Sequence, residues 1–303
     1  MNLGHPTRWK RWFILGAWVL LGLLLFTKPL TDLIQLAWQD ATASHILLVP
    51  FISAWLLYID PRGNALNNGF DLRSALAFLI PAIVIATLPA YCTSCLPRDR
   101  LSLYILSFVL LLVGGFVLIL GFAKAKASSF ALAMLLFVIP IPELILNKII
   151  YWLQIGSAAI AQVLFDLSGA PVLREGFIFR LPRTSIEVAA ECSGIRSSLA
   201  LLIIALLVAH FSFRPTWKRA VFVIAGLCVM LIKNGIRIAT LTLLANYVDP
   251  DFLFGKLHRR GGVVFFLIGL ALLLPVYWYL RKGEEGRADF IAESVPRQFV
   301  ARE

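Results

Sequence analysis

A chain of 303 residues that is 60% apolar, only 15% charged and +11 in net charge carries too little charge to cover a soluble surface of its size. That excludes an ordinary soluble enzyme. The basic residues are scattered through short loops, so they point to membrane topology and anionic head groups rather than to nucleic acid.

A hydrocarbon core about 30 Å thick takes about 20 mostly apolar residues per helical span. Apolar runs lie near residues 12–28, 45–59, 74–91, 101–122, 129–146, 191–212, 220–246 and 262–280. The first follows Arg8, Lys10 and Arg11 without a small-residue cleavage site close behind it, so it reads as a retained signal anchor. The second is short and carries His45 and Pro50. Residues 147–168 suit an amphipathic or re-entrant helix, or a ninth span. From Val172, VLREGFIFRLPRTSIEVA alternates apolar and polar residues in two short runs, which predicts a small β-hairpin at the membrane surface. It leads into Glu191-Cys192-Ser193-Gly194. No internal repeat is evident, which argues against a transporter of duplicated halves. The expectation is an all-α polytopic membrane protein of about eight transmembrane helices. It forms one membrane-embedded domain over residues 1–303, with an extracytoplasmic helix and β-hairpin insertion at 147–190 and a cytoplasmic tail at 283–303.

Lys and Arg set the orientation. With the N-terminus inside, the inner segments hold Arg8, Lys10 and Arg11; Arg62 and Arg73; Lys124 and Lys126; Arg214, Lys218 and Arg219; and Arg281 and Lys282. Eight spans place both termini in the cytoplasm. The outer loop at 248–261 is the exception, because it carries Lys256, Arg259 and Arg260.

Three reactive side chains then share the outer face. Cys192 begins the sixth span, Arg237 lies about 17 residues (about 26 Å) into the seventh, and His258 sits in the last outer loop. A thiol near a helix N-terminus is favoured as the thiolate. A histidine can take its proton and return it to a leaving amine, and an arginine can stabilise an oxyanion. Ser193 and Gly194 keep the surroundings of the thiol small, and Glu191 precedes it. Asn234 shares a helical face with Arg237, where it can orient the guanidinium or donate a hydrogen bond itself. Arg196, one turn from Cys192, can lower the thiol pKa or bind a substrate carboxylate, and His45 either faces the site or packs at the interface. Each residue alone has a plainer explanation. A membrane cysteine is usually inert, as expected for Cys228; a loop histidine is usually solvated; an arginine near a helix end snorkels. Together, with Ser-Gly after the cysteine and Asn before the arginine, the catalytic reading prevails. Cys92-Thr-Ser-Cys95 reads as a local disulfide in an outer loop. No metal or cofactor is expected.

The run VAAECSGIRSS from Val188, NGIRI from Asn234 and His258 ahead of the last span resemble the exosortase and archaeosortase family. So do SHILLVP from Ser44, VIPIPEL from Val138 and LREGFIFRLP from Leu173, in the family's order from the second span to the eighth. The resemblance implies a membrane cysteine transpeptidase with Cys192, Arg237 and His258 as its catalytic residues. It implies exported substrates that end in a short motif, a transmembrane helix and a basic cluster, cleaved at the motif and passed to a lipid or glycan acceptor at the surface. It also implies the inner membrane of a Gram-negative bacterium, with the active site on the periplasmic face. Ala189-Ala190-Glu191 departs from the order of small and acidic residues in many relatives, which leaves the recognised motif open. Two other functions compete. A thiol oxidoreductase would use Cys92 and Cys95 but needs a second cysteine pair within reach, and Cys228 lies about 13 Å inward of Arg237. A transporter or flippase would line a path with Arg237 and Lys233 but needs charges deep in several spans.

Overall fold

The computed structural model describes residues 5–59, 69–92, 94–253 and 262–294. Two compact units divide the chain, Met1–Asn147 and Lys148–Glu303.

In the first unit, α1 (His5–Leu25) and α2 (Thr27–Gln39) meet at a bend of 77°. A 3-10 turn, Ala41–Leu47, leads into α3 (Val49–Ile59). The antiparallel pair α4 (Leu72–Tyr91) and α5 (Pro97–Leu120) follows. Asp71 caps α4 by accepting from the Ser74 N–H at 3.0 Å, and Pro97 opens α5 where a missing N–H costs nothing. The Gly114-Gly115 pair lets neighbouring helices come close: a Cβ at Gly115 would collide with Trp18 Nε1. Trp18 instead donates to the Leu111 carbonyl at 3.1 Å. Cys92 and Cys95 form a disulfide, the local staple expected.

The apolar run at 129–146 is not one span. Two short helices, α6 (Phe122–Ala127) and α7 (Ser129–Met134), and a 3-10 turn, Leu135–Val138, end ahead of Pro140-Ile141-Pro142. Two prolines in alternate positions remove N–H donors and push the residues before them out of the helical region; Ile139 sits at φ −75°, ψ 121°. The helix restarts at α8 (Glu143–Ser168), where the Asp99 carboxylate accepts the Glu143 N–H at 2.7 Å. The segment expected as an amphipathic or re-entrant helix, or a ninth span, is most of a 26-residue helix of spanning length. Arg98 secures this break. Its guanidinium pairs with Asp40, donates to Thr42 Oγ1 at 3.1 Å, and donates to the Ile141 carbonyl at 2.9 Å.

The second unit continues α8 into a three-stranded antiparallel meander of β1 (Leu173–Glu175), β2 (Ile178–Arg180) and β3 (Ser185–Glu187). The predicted hairpin is present as β1–β2, turned by Gly176 at φ +65° and Phe177, and a third strand extends it. One face of the sheet buries Phe179 against Phe165 of α8, ring centroids 5.2 Å apart, with Ala158, Ala161 and Val188 beside them. A 3-10 turn, Ala190–Ser193, then delivers the chain to α9 (Ile195–Ser212), the 32-residue α10 (Thr216–Tyr247) and α11 (Gly262–Ser294). Among the described residues, seven helices are long and apolar enough to cross a bilayer, or eight if α1 and α2 make one bent span. The fold is the all-α polytopic membrane architecture that hydropathy predicts.

Candidate active site

The turn that carries Cys192 is held from three sides. The sheet positions its start: the Val188 N–H donates to the Phe177 carbonyl at 2.9 Å, and the Val188 carbonyl accepts from Gln154 Nε2 of α8 at 2.7 Å. Within the turn, the Cys192 N–H donates to the Ala189 carbonyl at 2.9 Å. At its end, Gly194 adopts φ +73°, a left-handed conformation that glycine reaches without strain, and α9 begins with the Ser198 N–H on the Gly194 carbonyl at 2.9 Å. Cys192 is half-buried at the head of this helix, where the macrodipole favours a thiolate.

From α10, Asn234 supplies the third support. It is 1% exposed, and its Nδ2 donates to Ser157 Oγ at 2.9 Å, to the Cys192 carbonyl at 3.0 Å and to the Ser193 carbonyl at 3.1 Å. Two main-chain carbonyls on one side fix which end of the amide is nitrogen. The Oδ1 end lies against Gly194, where a Cβ would come within 2.6 Å. Asn234 thus grips the cysteine turn through two of these bonds and reaches α8 at Ser157 with the third. Arg237 follows at i+3, half-buried one turn further along α10. α10 also packs closely on α8 here, since a Cβ at Gly235 would meet Ile160 Cγ2 at 2.5 Å.

The remaining expected residues divide. Ser193 is 1% exposed, with its Oγ buried and unbonded. Arg196 is exposed on the first turn of α9. His45 belongs to the first unit, half-buried in the turn before α3, and its ring bonds the main chain at Phe137 and Thr42. His258 and the side chain of Glu191 lie outside the described residues. Cys228 is exposed on α10 as a free thiol. A cavity of about 1040 Å³ in the first unit, lined by Phe26, Asp32, Arg98 and Tyr104 among others, holds none of these residues.

Sequence reasoning missed Gln154, Ser157 and Ser197, and gave Lys233 only a place in a transport path. Lys233 carried a signal, being an ionisable residue in the middle of a span. The serines carried none.

The transmembrane exosortase family model matches residues 37–275, well over half of the chain. No curated protein and no solved structure matches it. The match takes in the sheet, the cysteine turn, Asn234 and Arg237, and the family is one of cysteine transpeptidases that act on exported proteins bearing C-terminal sorting signals. This multi-pass membrane protein belongs to the transmembrane exosortase family.

Proposed function

We propose that the chain cleaves the C-terminal sorting signal of exported proteins through Cys192 and passes the new carboxyl end to a surface acceptor, a membrane lipid or a glycan. The observation that carries this reading is the Asn234 amide, which ties the turn bearing Cys192 to the helix bearing Arg237. The Cys192 thiolate attacks the scissile carbonyl and a C–S bond forms. Arg237 stabilises the oxyanion. His258 takes the thiol proton and delivers it to the departing amine as the C–N bond breaks. The thioester is then opened by the acceptor's amine or hydroxyl, or by water, which restores the thiol. The Lys and Arg distribution supports a site on the outer face with both termini in the cytoplasm, and the family supports a bacterial inner membrane, where that face is periplasmic.

The test is processing of a reporter carrying a motif, an apolar helix and a basic tail, in cells holding each variant at matched membrane abundance. Cys192→Ala and Cys192→Ser abolish processing, and the Cys92→Ala/Cys95→Ala double variant retains it. The reverse pattern moves the chemistry to the disulfide and ends the transpeptidase reading.

A further inference from the structure

Lys233 lies midway along α10 and is only 2% exposed, although an ammonium inside an apolar span is costly. Its Nζ donates to Ser197 Oγ at 2.6 Å, and Ser197 Oγ donates to the Gly194 carbonyl at 3.0 Å. Gly269 of α11 makes room for the lysine stem: a Cβ there would lie 3.0 Å from Lys233 Cδ. The groups that face Lys233 are Ser197 from α9, Leu201 Cδ2 beside the same notch, and Gly269 from α11, with Arg237 one turn on along α10. The ion pairs Lys28–Asp32, Arg98–Asp40 and Arg180–Glu175 do not involve Lys233. A snorkelling lysine would be exposed, and one held by an ion pair would have a carboxylate partner. Neither description fits.

Lys233 and Asn234 are consecutive residues, and between them they serve three consecutive carbonyls. Asn234 takes those of Cys192 and Ser193; Ser197, backed by Lys233, takes that of Gly194. We propose that Lys233 is a positioning residue for Cys192: through Ser197 it fixes the Gly194 end of the nucleophile turn, and its buried charge favours the thiolate. The proposal rests on the reading of Cys192 as the nucleophile. A charge in a medium of low dielectric acts over several ångströms with little screening. The thiol proton leaves to a base or to water, the S⁻ remains in the field of the ammonium, and no bond to the lysine forms.

The test uses the full chain in native membranes, with Cys228→Ser to remove the second free thiol. The rate of Cys192 alkylation by iodoacetamide is followed between about pH 6 and about pH 10, a range that brackets an ordinary thiol. Lys233→Met raises the midpoint by about one pH unit, a loss of about tenfold in rate near neutrality. Lys233→Arg, which keeps the charge, stays close to the parent. Ser197→Ala removes one hydroxyl and raises the midpoint less; it decides the matter if Lys233→Met does not accumulate. An unmoved midpoint in the variant that decides, even with a lower plateau, overturns the proposal, because a merely structural lysine would change the amount of reactive protein and not the titration. Alkylation needs no substrate, so the two readings fail separately. Processing that survives Cys192→Ala ends the transpeptidase reading. An unmoved profile with processing abolished by Cys192→Ala ends only the role of Lys233.

Discussion

Asn234 and Cys192 stand 42 residues apart, yet the side-chain nitrogen of one donates to the main-chain carbonyl of the other at 3.0 Å. The bond joins the turn ahead of α9 to the middle of α10. It also joins the residue that would attack to the helix that would hold the oxyanion, so the spacing of Cys192 and Arg237 depends on a neutral side chain.

Asn234→Asp is the sharpest probe of that joint. A carboxylate of the same shape cannot donate to the Cys192 and Ser193 carbonyls, and it places negative charge against both. A buried group left unsatisfied costs about 1–3 kcal/mol, so processing should fall by about tenfold to a hundredfold at matched abundance. Asn234→Ala should fall as well. Normal processing by Asn234→Asp would show that the joint does not position the cysteine.

Gly194→Ala tests the same contact from the side of the cysteine turn. The left-handed conformation costs a residue with a Cβ about 1–2 kcal/mol, and here the Cβ would also lie 2.6 Å from Asn234 Oδ1. Gly169 provides the control, because it has φ +70° with open space around it. Gly169→Ala pays only the backbone term, so its membrane abundance and processing should exceed those of Gly194→Ala. Equal losses would mean that contact with Asn234 adds nothing.

The span pattern was legible because a bilayer leaves a strong signal: long apolar runs, with basic residues between them. The fifth run was misplaced because hydropathy alone is blind to the donors removed by Pro140 and Pro142, although both prolines are plain in the sequence. The sequence pattern over 172–189 gave two runs where there are three strands, because each strand is only three residues long and Ser185–Glu187 gains its place from pairing with β2. At the site, Cys192, Asn234 and Arg237 stood out by chemical type. Their mutual support did not. Ser157 and Ser197 resemble any small residue on a helix, and their role comes from contacts 77 and 36 residues away in sequence.

Asp40 gives the fold a dependence on pH. Burial opposes its charge, but hydrogen bonds from Thr42 and the Arg98 guanidinium prevail and hold its carboxyl below the usual aspartate range. Stability from a depressed carboxyl is fully present above the unfolded value of about 3.9 and is lost as pH falls through the folded value. In detergent, the unfolding temperature should drop between about pH 5 and about pH 2, and Asp40→Asn should start lower and drop less across that window. An identical slope in parent and variant would show that the Asp40–Arg98 pair carries no linkage.

Arg237→Lys separates an oxyanion donor from an arginine that merely reaches for head groups. Arg237 is half-buried one turn beyond Asn234, on the helix that grips the cysteine turn. If its guanidinium faces the developing oxyanion, it offers a planar pair of donors that an ammonium cannot reproduce. Removing one oxyanion donor typically costs about 2.7–4 kcal/mol, or about 100- to 1,000-fold in rate. Arg237→Lys should therefore process the reporter slowly at matched abundance, and Arg237→Gln more slowly still. The thioester on Cys192 offers a second readout. A weakened oxyanion site slows its formation, so less of it should be trapped in a short pulse, whereas a change confined to substrate docking should be overcome by raising the reporter level. A snorkelling arginine accepts lysine almost freely, because both carry a long apolar stem and a charge. Processing by Arg237→Lys at the parental rate would remove Arg237 from the proposed chemistry and leave Cys192 in need of another electrophilic partner.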